Sequence, residues 1–163
     1  MPASTQDIKE LREKTGAGIM ECKRALEEGG SMDQAEKLLK EWGVASAAKR
    51  AGREASQGII DSYVHAGRIG ALIELNCETD FVARTDDFKT LAREIAMQVA
   101  ATNPTRISSE EAETSEDGDV PLLDQPYIRD PGKTVQDLVN ETIAKTRENI
   151  VIRRVARFEL GGS

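Results

Sequence analysis

Along residues 1–43 the apolar positions recur at helical spacing in three short bursts, interrupted by Thr15-Gly16-Ala17-Gly18 and by Gly29-Gly30. This pattern predicts three short helices. The first presents Ile8 and Leu11 and stops at Gly16, a residue that readily takes the left-handed conformation of a helix end. The second presents Ile19, Cys22, Lys23, Ala25 and Leu26 and frays at the glycine pair. The third opens on Ser31, with Gln34 at the spacing of a reciprocal capping box, packs through Ala35, Leu38, Leu39 and Trp42, and ends at Gly43. Residues 44–56 are alanine-rich and predict a connecting helix, because Ala loses no side-chain entropy there.

After the connecting helix the period changes. Two runs, 59–65 and 69–77, are rich in branched apolar residues and are joined by a tight turn at Ala66-Gly67-Arg68, the mark of a β-hairpin. The second run enters a corner, Asn76-Cys77-Glu78-Thr79-Asp80-Phe81-Val82-Ala83-Arg84, and leaves it as an amphipathic helix with Phe88, Leu91, Ala92, Ile95, Ala96 and Val99 on one side. Thr85 serves as its N-cap, and Asp86-Asp87 complement the helix dipole in its first turn. Residues 103–132 interleave prolines with acidic and serine clusters. Their middle, about 103–120, predicts a mobile acidic loop with too little apolar surface to offset the entropy of ordering. Leu122-Leu123 and Tyr127-Ile128 tack its far end to the core. Thr134 starts a last helix with Val135, Leu138, Val139 and Ile143 inward. Residues 150–160 alternate as a third strand, antiparallel to the hairpin. The expected architecture is α+β: a three-helix module over 1–43, a connecting helix over 44–56, and a core over 57–163 with a three-stranded antiparallel sheet packed by helices.

Composition narrows the chemistry. With 39% hydrophobic and only 4% aromatic residues, the core must be built from Leu, Ile, Val and Ala. A net charge of −7 argues against a general binder of phosphate backbones, whose affinity comes from clustered Lys and Arg. Lys49, Arg50 and Arg53 leave two readings open, a basic patch for RNA or an acidic partner, and a solvated linker. No apolar stretch approaches the length that spans a bilayer, and the start of the chain lacks the apolar segment of a secretory signal. A cytoplasmic protein without membrane contact is expected. Cys22 and Cys77 lie among apolar neighbours and read as buried, reduced thiols, and a catalytic thiol would require a His partner, for which only His65 at the hairpin end is available. Glu78, Asp80, Asp86 and Asp87 match no calcium-loop spacing. No cofactor, metal or enzymatic activity is expected. Asp80-Phe81 sets a charge beside a large ring and admits two readings, a core ring with Asp80 capping the next turn, or a pair offered to a partner.

Three blocks carry a resemblance. Leu11-Arg12-Glu13-Lys14-Thr15-Gly16-Ala17-Gly18-Ile19-Met20-Glu21-Cys22-Lys23, the corner block from Asn76 to Arg84, and Gln125-Pro126-Tyr127 with Arg157-Phe158-Glu159 together resemble bacterial elongation factor Ts, the nucleotide-exchange factor of elongation factor Tu. The resemblance implies an N-terminal module similar to ubiquitin-associated three-helix folds and an α+β core. It also implies an exchange segment, Thr79, Asp80, Phe81 and Val82, that disturbs magnesium coordination in the partner, with Phe81 as a wedge between partner side chains. Arg12 and Met20 then hold the partner's nucleotide domain, although a solvated helix charge and a core filler remain alternatives for these two. The interval between Thr102 and Gly132 leaves no room for the second core repeat or the helical hairpin of larger members, so the chain resembles the short form, whose relatives pair their sheets into a homodimer. A thiol near the C-terminus crosslinks some short relatives, and no Cys follows Cys77 here, so a disulfide-linked dimer is not expected. Ala66-Gly67-Arg68 is a residue shorter than the usual turn, and Val155 stands in place of an aromatic. Two rival classes stay open: a ubiquitin-like or nascent-chain adaptor without exchange activity, and an enzyme using Glu78 or Asp80 as acid or base.

Overall fold

A computed structural model of the chain describes residues 2–111 and 119–162. Three helices open it: α1 (Thr5–Thr15), α2 (Ile19–Gly29) and α3 (Met32–Arg50). The hairpin follows as β1 (Gln57–His65) and β2 (Ile69–Cys77), then a single turn α4 (Asp80–Ala83) and the long α5 (Asp86–Thr102). A 3₁₀ turn at Leu122–Asp124 leads to the short strands β3 (Pro126–Tyr127) and β4 (Asp130–Thr134), then α6 (Val135–Thr146) and β5 (Val151–Glu159). The result is the expected α+β arrangement, with a three-stranded antiparallel sheet ordered β1-β2-β5.

The caps read from sequence do their predicted work. Gly16 closes α1 at φ 71, and Thr85 and Thr134 each accept the amide three residues on, Thr134 within a full capping box with Asp137. Ser31 accepts the amide of Gln34 at the start of α3, which is the first half of the predicted box. The hairpin turns through Ala66 and Gly67, both at positive φ, so that a non-glycine residue occupies a left-handed position.

Gly43 does not end the third helix. α3 runs straight through it and ends at Arg50, so the expected connecting helix over 44–56 is the second half of α3, and residues 51–56 lie beyond the helix. The intrinsic cost of glycine in a helix, on the order of 1 kcal/mol, is overridden by packing on both sides of it. The first half of α3 closes the small core of Leu11, Cys22, Ala25, Leu26 and Ala35 through Leu38, Leu39 and Trp42, whereas Ala47 reaches the larger core. Gly43 itself is buried against the backbone of Asn140 in α6.

The larger core lies between the inner face of the sheet and α5 and α6. Ile73 and Leu75 meet Phe88, Leu91, Ile95 and Val99 from α5 and Val139 and Ile143 from α6. Leu122 and Tyr127 are buried, as the tacking of the far loop predicts, but Ile128 is exposed. The β3–β4 ribbon carries no strand pattern in the sequence. It is held by Gln98, almost fully buried in α5, whose amide donates to Gln125 Oε1 at 3.0 Å and to the Pro126 carbonyl at 3.1 Å while its Oε1 accepts the Ile128 amide at 3.0 Å. The centre of the predicted acidic loop, 112–118, lies outside the described residues.

On the outer face of the sheet, Val64, Leu72 and Phe158 are exposed, with Gly70 paired between Val64 and Phe158. Phe158 is 80% exposed. A bulge between Glu74 and Leu75 inserts Arg153 as the extra residue of β5, so that both Arg153 and Arg154 reach Glu74, at 3.6 and 2.9 Å. The apolar strip thus has a charged border.

Candidate functional site

β2 ends at Cys77, and the chain must turn from the sheet into α5 within a few residues. Thr79 makes that turn by capping α4. Its hydroxyl accepts the Val82 amide at 3.3 Å, and its carbonyl accepts the Ala83 amide at 3.3 Å and the Cys77 thiol at 3.1 Å. Burial, reinforced by the nearby charge of Glu148, pushes the Cys77 thiol up to about 11. It is a neutral, packed donor rather than a nucleophile, as the sequence suggested.

The four residues of the corner separate into anchors and presented groups. Thr79 and Val82 are anchors. Val82 packs against the larger core, and its carbonyl accepts the Thr85 hydroxyl at 2.7 Å. Asp80 and Phe81 point away. Asp80 is exposed and pairs with Arg84 at 3.2 Å one turn on, an ion pair too exposed to add much stability. Phe81 is 77% exposed, whereas Phe88, seven residues later, is fully buried. The core-ring reading of Phe81 is therefore corrected: Phe88 fills the place beneath the corner, and Phe81 stands free on it.

The acidic residues near the corner are each accounted for. Asp86 and Asp87 occupy the first turn of α5, and Asp87 faces Lys145 at 3.9 Å. Among the described residues no three His, Cys, Asp or Glu side chains come together as metal ligands. His65 lies at the exposed hairpin end, where its Nδ1 is 3.0 Å from the Tyr63 hydroxyl.

On the N-terminal module Arg12 is exposed in the last turn of α1, and Met20 is 72% exposed at the start of α2. Neither is core. Ile19, one of the apolar positions whose spacing marks the second helix, is 53% exposed beside Met20, so the first turn of α2 shows two adjacent apolar side chains to solvent. Cys22, Ala25 and Leu26 carry the buried face of α2.

A groove of about 760 Å³ runs between α3 and the β4–α6 segment, remote from the corner residues, which do not line it. Ion pairs cross it, Lys40 with Asp137 at 3.4 Å, and lie along it, Lys133 with Glu141 at 3.1 Å. This pairing suits a seam between module and core better than a substrate pocket.

Sequence reasoning missed Glu148 and Asn149, in the connection between α6 and β5. Glu148 Oε1 accepts the amides of Glu78 and Thr79 at 3.1 and 2.9 Å, and its Oε2 accepts the Thr79 hydroxyl at 2.7 Å. Nothing periodic marks them; only their polarity between a helix end and a strand was visible.

The family model described as Elongation factor TS matches residues 36–118 and 78–163. Elongation factor Ts of Thermoanaerobacter sp. (strain X514) is 50% identical to this chain over 193 aligned residues, covering 97% of this chain and 95% of the relative. That of Carboxydothermus hydrogenoformans is 47% identical, covering 97% and 89%, and that of Herpetosiphon aurantiacus is 43% identical over 198 residues, covering both chains in full. These alignments are longer than the 163 residues of this chain, so the relatives carry residues that it skips. Identity at this level over nearly the whole chain is decisive: the chain belongs to the elongation factor Ts family of translation elongation factors.

Proposed function

We propose that this chain is a guanine-nucleotide exchange factor for elongation factor Tu, acting in protein synthesis in the cytoplasm and catalysing no covalent chemistry of its own. The observation that carries the reading is Phe81, an aromatic ring 77% exposed on a turn whose neighbours Thr79 and Val82 are pinned. An apolar ring presented on a pinned turn gains from being covered and costs little to order, which suits a wedge. Phe81 enters between partner side chains, Asp80 accompanies it, and the segment disturbs the partner's magnesium coordination. Arg12 and Met20, with Ile19 beside it, hold the partner's nucleotide domain.

Exchange needs only differential binding. The factor accelerates GDP release by binding the nucleotide-free conformation best, and GDP must then weaken the factor's grip by the same ratio. The chain's excess of negative charge assists docking on a complementary face. The exposed strip of Val64, Leu72 and Phe158 supports a homodimer in which the outer sheet faces meet about a two-fold axis. No direct nucleic-acid contact is required. The test is gel filtration of the purified chain with nucleotide-free elongation factor Tu. The two co-elute and separate when GDP is added; separate elution from the outset, or co-elution indifferent to GDP, rejects the reading.

A further inference from the structure

The turn that presents Phe81 is held from a distant part of the chain. Besides the three bonds Glu148 accepts from Glu78 and Thr79, a reciprocal bond runs the other way, with Glu78 Oε2 accepting the amide of Asn149 at 2.6 Å. Two segments about 70 residues apart thus cap each other's backbone with carboxylates. Asn149 continues the connection. Its side-chain amide donates to the carbonyl of Arg53 at 2.8 Å and of Ala51 at 3.4 Å, just beyond the end of α3, while the Arg53 guanidinium lies 3.7 Å from Glu78. Asn149 is buried, and Glu148 and Glu78 are half-buried.

The chemistry of Glu148 suits positioning. It meets only donors, two N–H groups and a hydroxyl, and a carboxylate offers acceptors alone. Bonds to an ionised acceptor are about twice as strong as neutral ones. With them in place every polar atom of Thr79 is engaged: N–H and hydroxyl by Glu148, the hydroxyl oxygen again by Val82, the carbonyl by Cys77 and Ala83. The direction in which α4 leaves Thr79 is therefore set by Glu148, and Phe81 is the second residue of α4. A wedge that must reach one place on a partner gains from being held there beforehand.

We propose that Glu148 is the positioning residue of the exchange turn, and that Glu78 and Asn149 tie this turn to the end of α3, so that the N-terminal module and Phe81 meet the partner as one rigid surface. The inference rests on the exchange reading above, and its test separates the two. Glu148→Gln keeps the side chain's size but removes the charge from all three bonds and sets an amide NH₂ against the Thr79 hydroxyl, which must then turn from donor to acceptor. It slows factor-stimulated GDP release about tenfold, the expected effect of losing a charge-assisted bond of this kind. In the Phe81→Ala background the same change adds less than about twofold, because Glu148 acts through the ring. Equal slowing in both backgrounds, or none in either, overturns the proposal. A second measurement is independent of activity. By amide hydrogen exchange, Glu148→Gln speeds exchange at residues 78–83 while α5 keeps its protection, and unchanged protection at 78–83 also overturns the proposal. Thr79→Val, which removes only the hydroxyl bonds, gives the same pattern in weaker form should Glu148→Gln fail to fold. If the unaltered chain does not stimulate GDP release, the exchange reading fails, and hydrogen exchange still decides whether Glu148 holds the turn.

Discussion

Replacing Phe81 by alanine isolates the wedge from the fold. The ring is 77% exposed. A phenylalanine presents roughly 150–200 Å² of surface, so about 115–155 Å² remains for a partner to cover, worth about 3–4 kcal/mol at about 25 cal/mol per Å². Ordering and imperfect fit remove part of this, and a net loss of at least about 1.4 kcal/mol in the nucleotide-free complex is expected, a tenfold or greater slowing of stimulated GDP release. The part of the ring already covered in the free chain is roughly 35–45 Å², so folding stability falls by only about 1 kcal/mol. Phe88→Ala, a change of the same type at a fully buried site, costs about 3–5 kcal/mol. Stopped-flow measurement with fluorescent GDP bound to elongation factor Tu, alongside urea denaturation of the two variants, supplies both numbers. An unchanged release rate for Phe81→Ala, with the fold intact, refutes the assignment of the ring as a wedge.

Phe158→Glu sets a charge on the exposed sheet strip and weakens self-association about a hundredfold or more, about 2.8 kcal/mol, as read by sedimentation equilibrium; a wild-type chain that is monomeric throughout rejects the dimer. Gln98→Leu leaves the Ile128 amide and the Pro126 carbonyl without their partner and lowers unfolding stability by about 2–3 kcal/mol, and a loss below about 0.5 kcal/mol in urea titration contradicts this account of the β3–β4 ribbon. The Cys77 thiol rises from its ordinary 9.0 to about 11 on folding, so above pH 9 the unfolded chain ionises while the folded one does not. Its stabilising contribution is complete below pH 9 and is lost as pH rises toward 11, on the order of 2 kcal/mol, with Tyr127 shifted in the same direction by its burial. Denaturation midpoints followed from pH 8 to 10.5 fall less steeply in Cys77→Ala than in wild type; parallel slopes dispose of the idea.

Local rules placed most elements of this chain from sequence. The glycine at the end of α1, the threonine caps of α5 and α6, and the change of apolar period from helical to alternating across the hairpin each act within a few residues, where the backbone's own geometry decides. The same locality explains where pattern and structure part. Gly43 carries a stop signal whose cost is small beside two cores packed on one helix, and Ile19 fits the helical period yet is exposed in the first turn of α2.

Tertiary structure alone decided what the corner offers. Phe88 heads the apolar stripe of α5 and is marked as covered by its spacing, but nothing local says whether Phe81 is covered as well; that depends on how α5 and the sheet close over Phe88 and leave no room beside it. The carboxylates of Glu148 and Glu78 reach across the fold to fix the turn, a relation between segments about 70 residues apart that no periodicity encodes. Sequence named the corner because apolar patterning is local. The fold chose its exposed ring and its anchor because hydrogen bonds and burial are satisfied only in three dimensions.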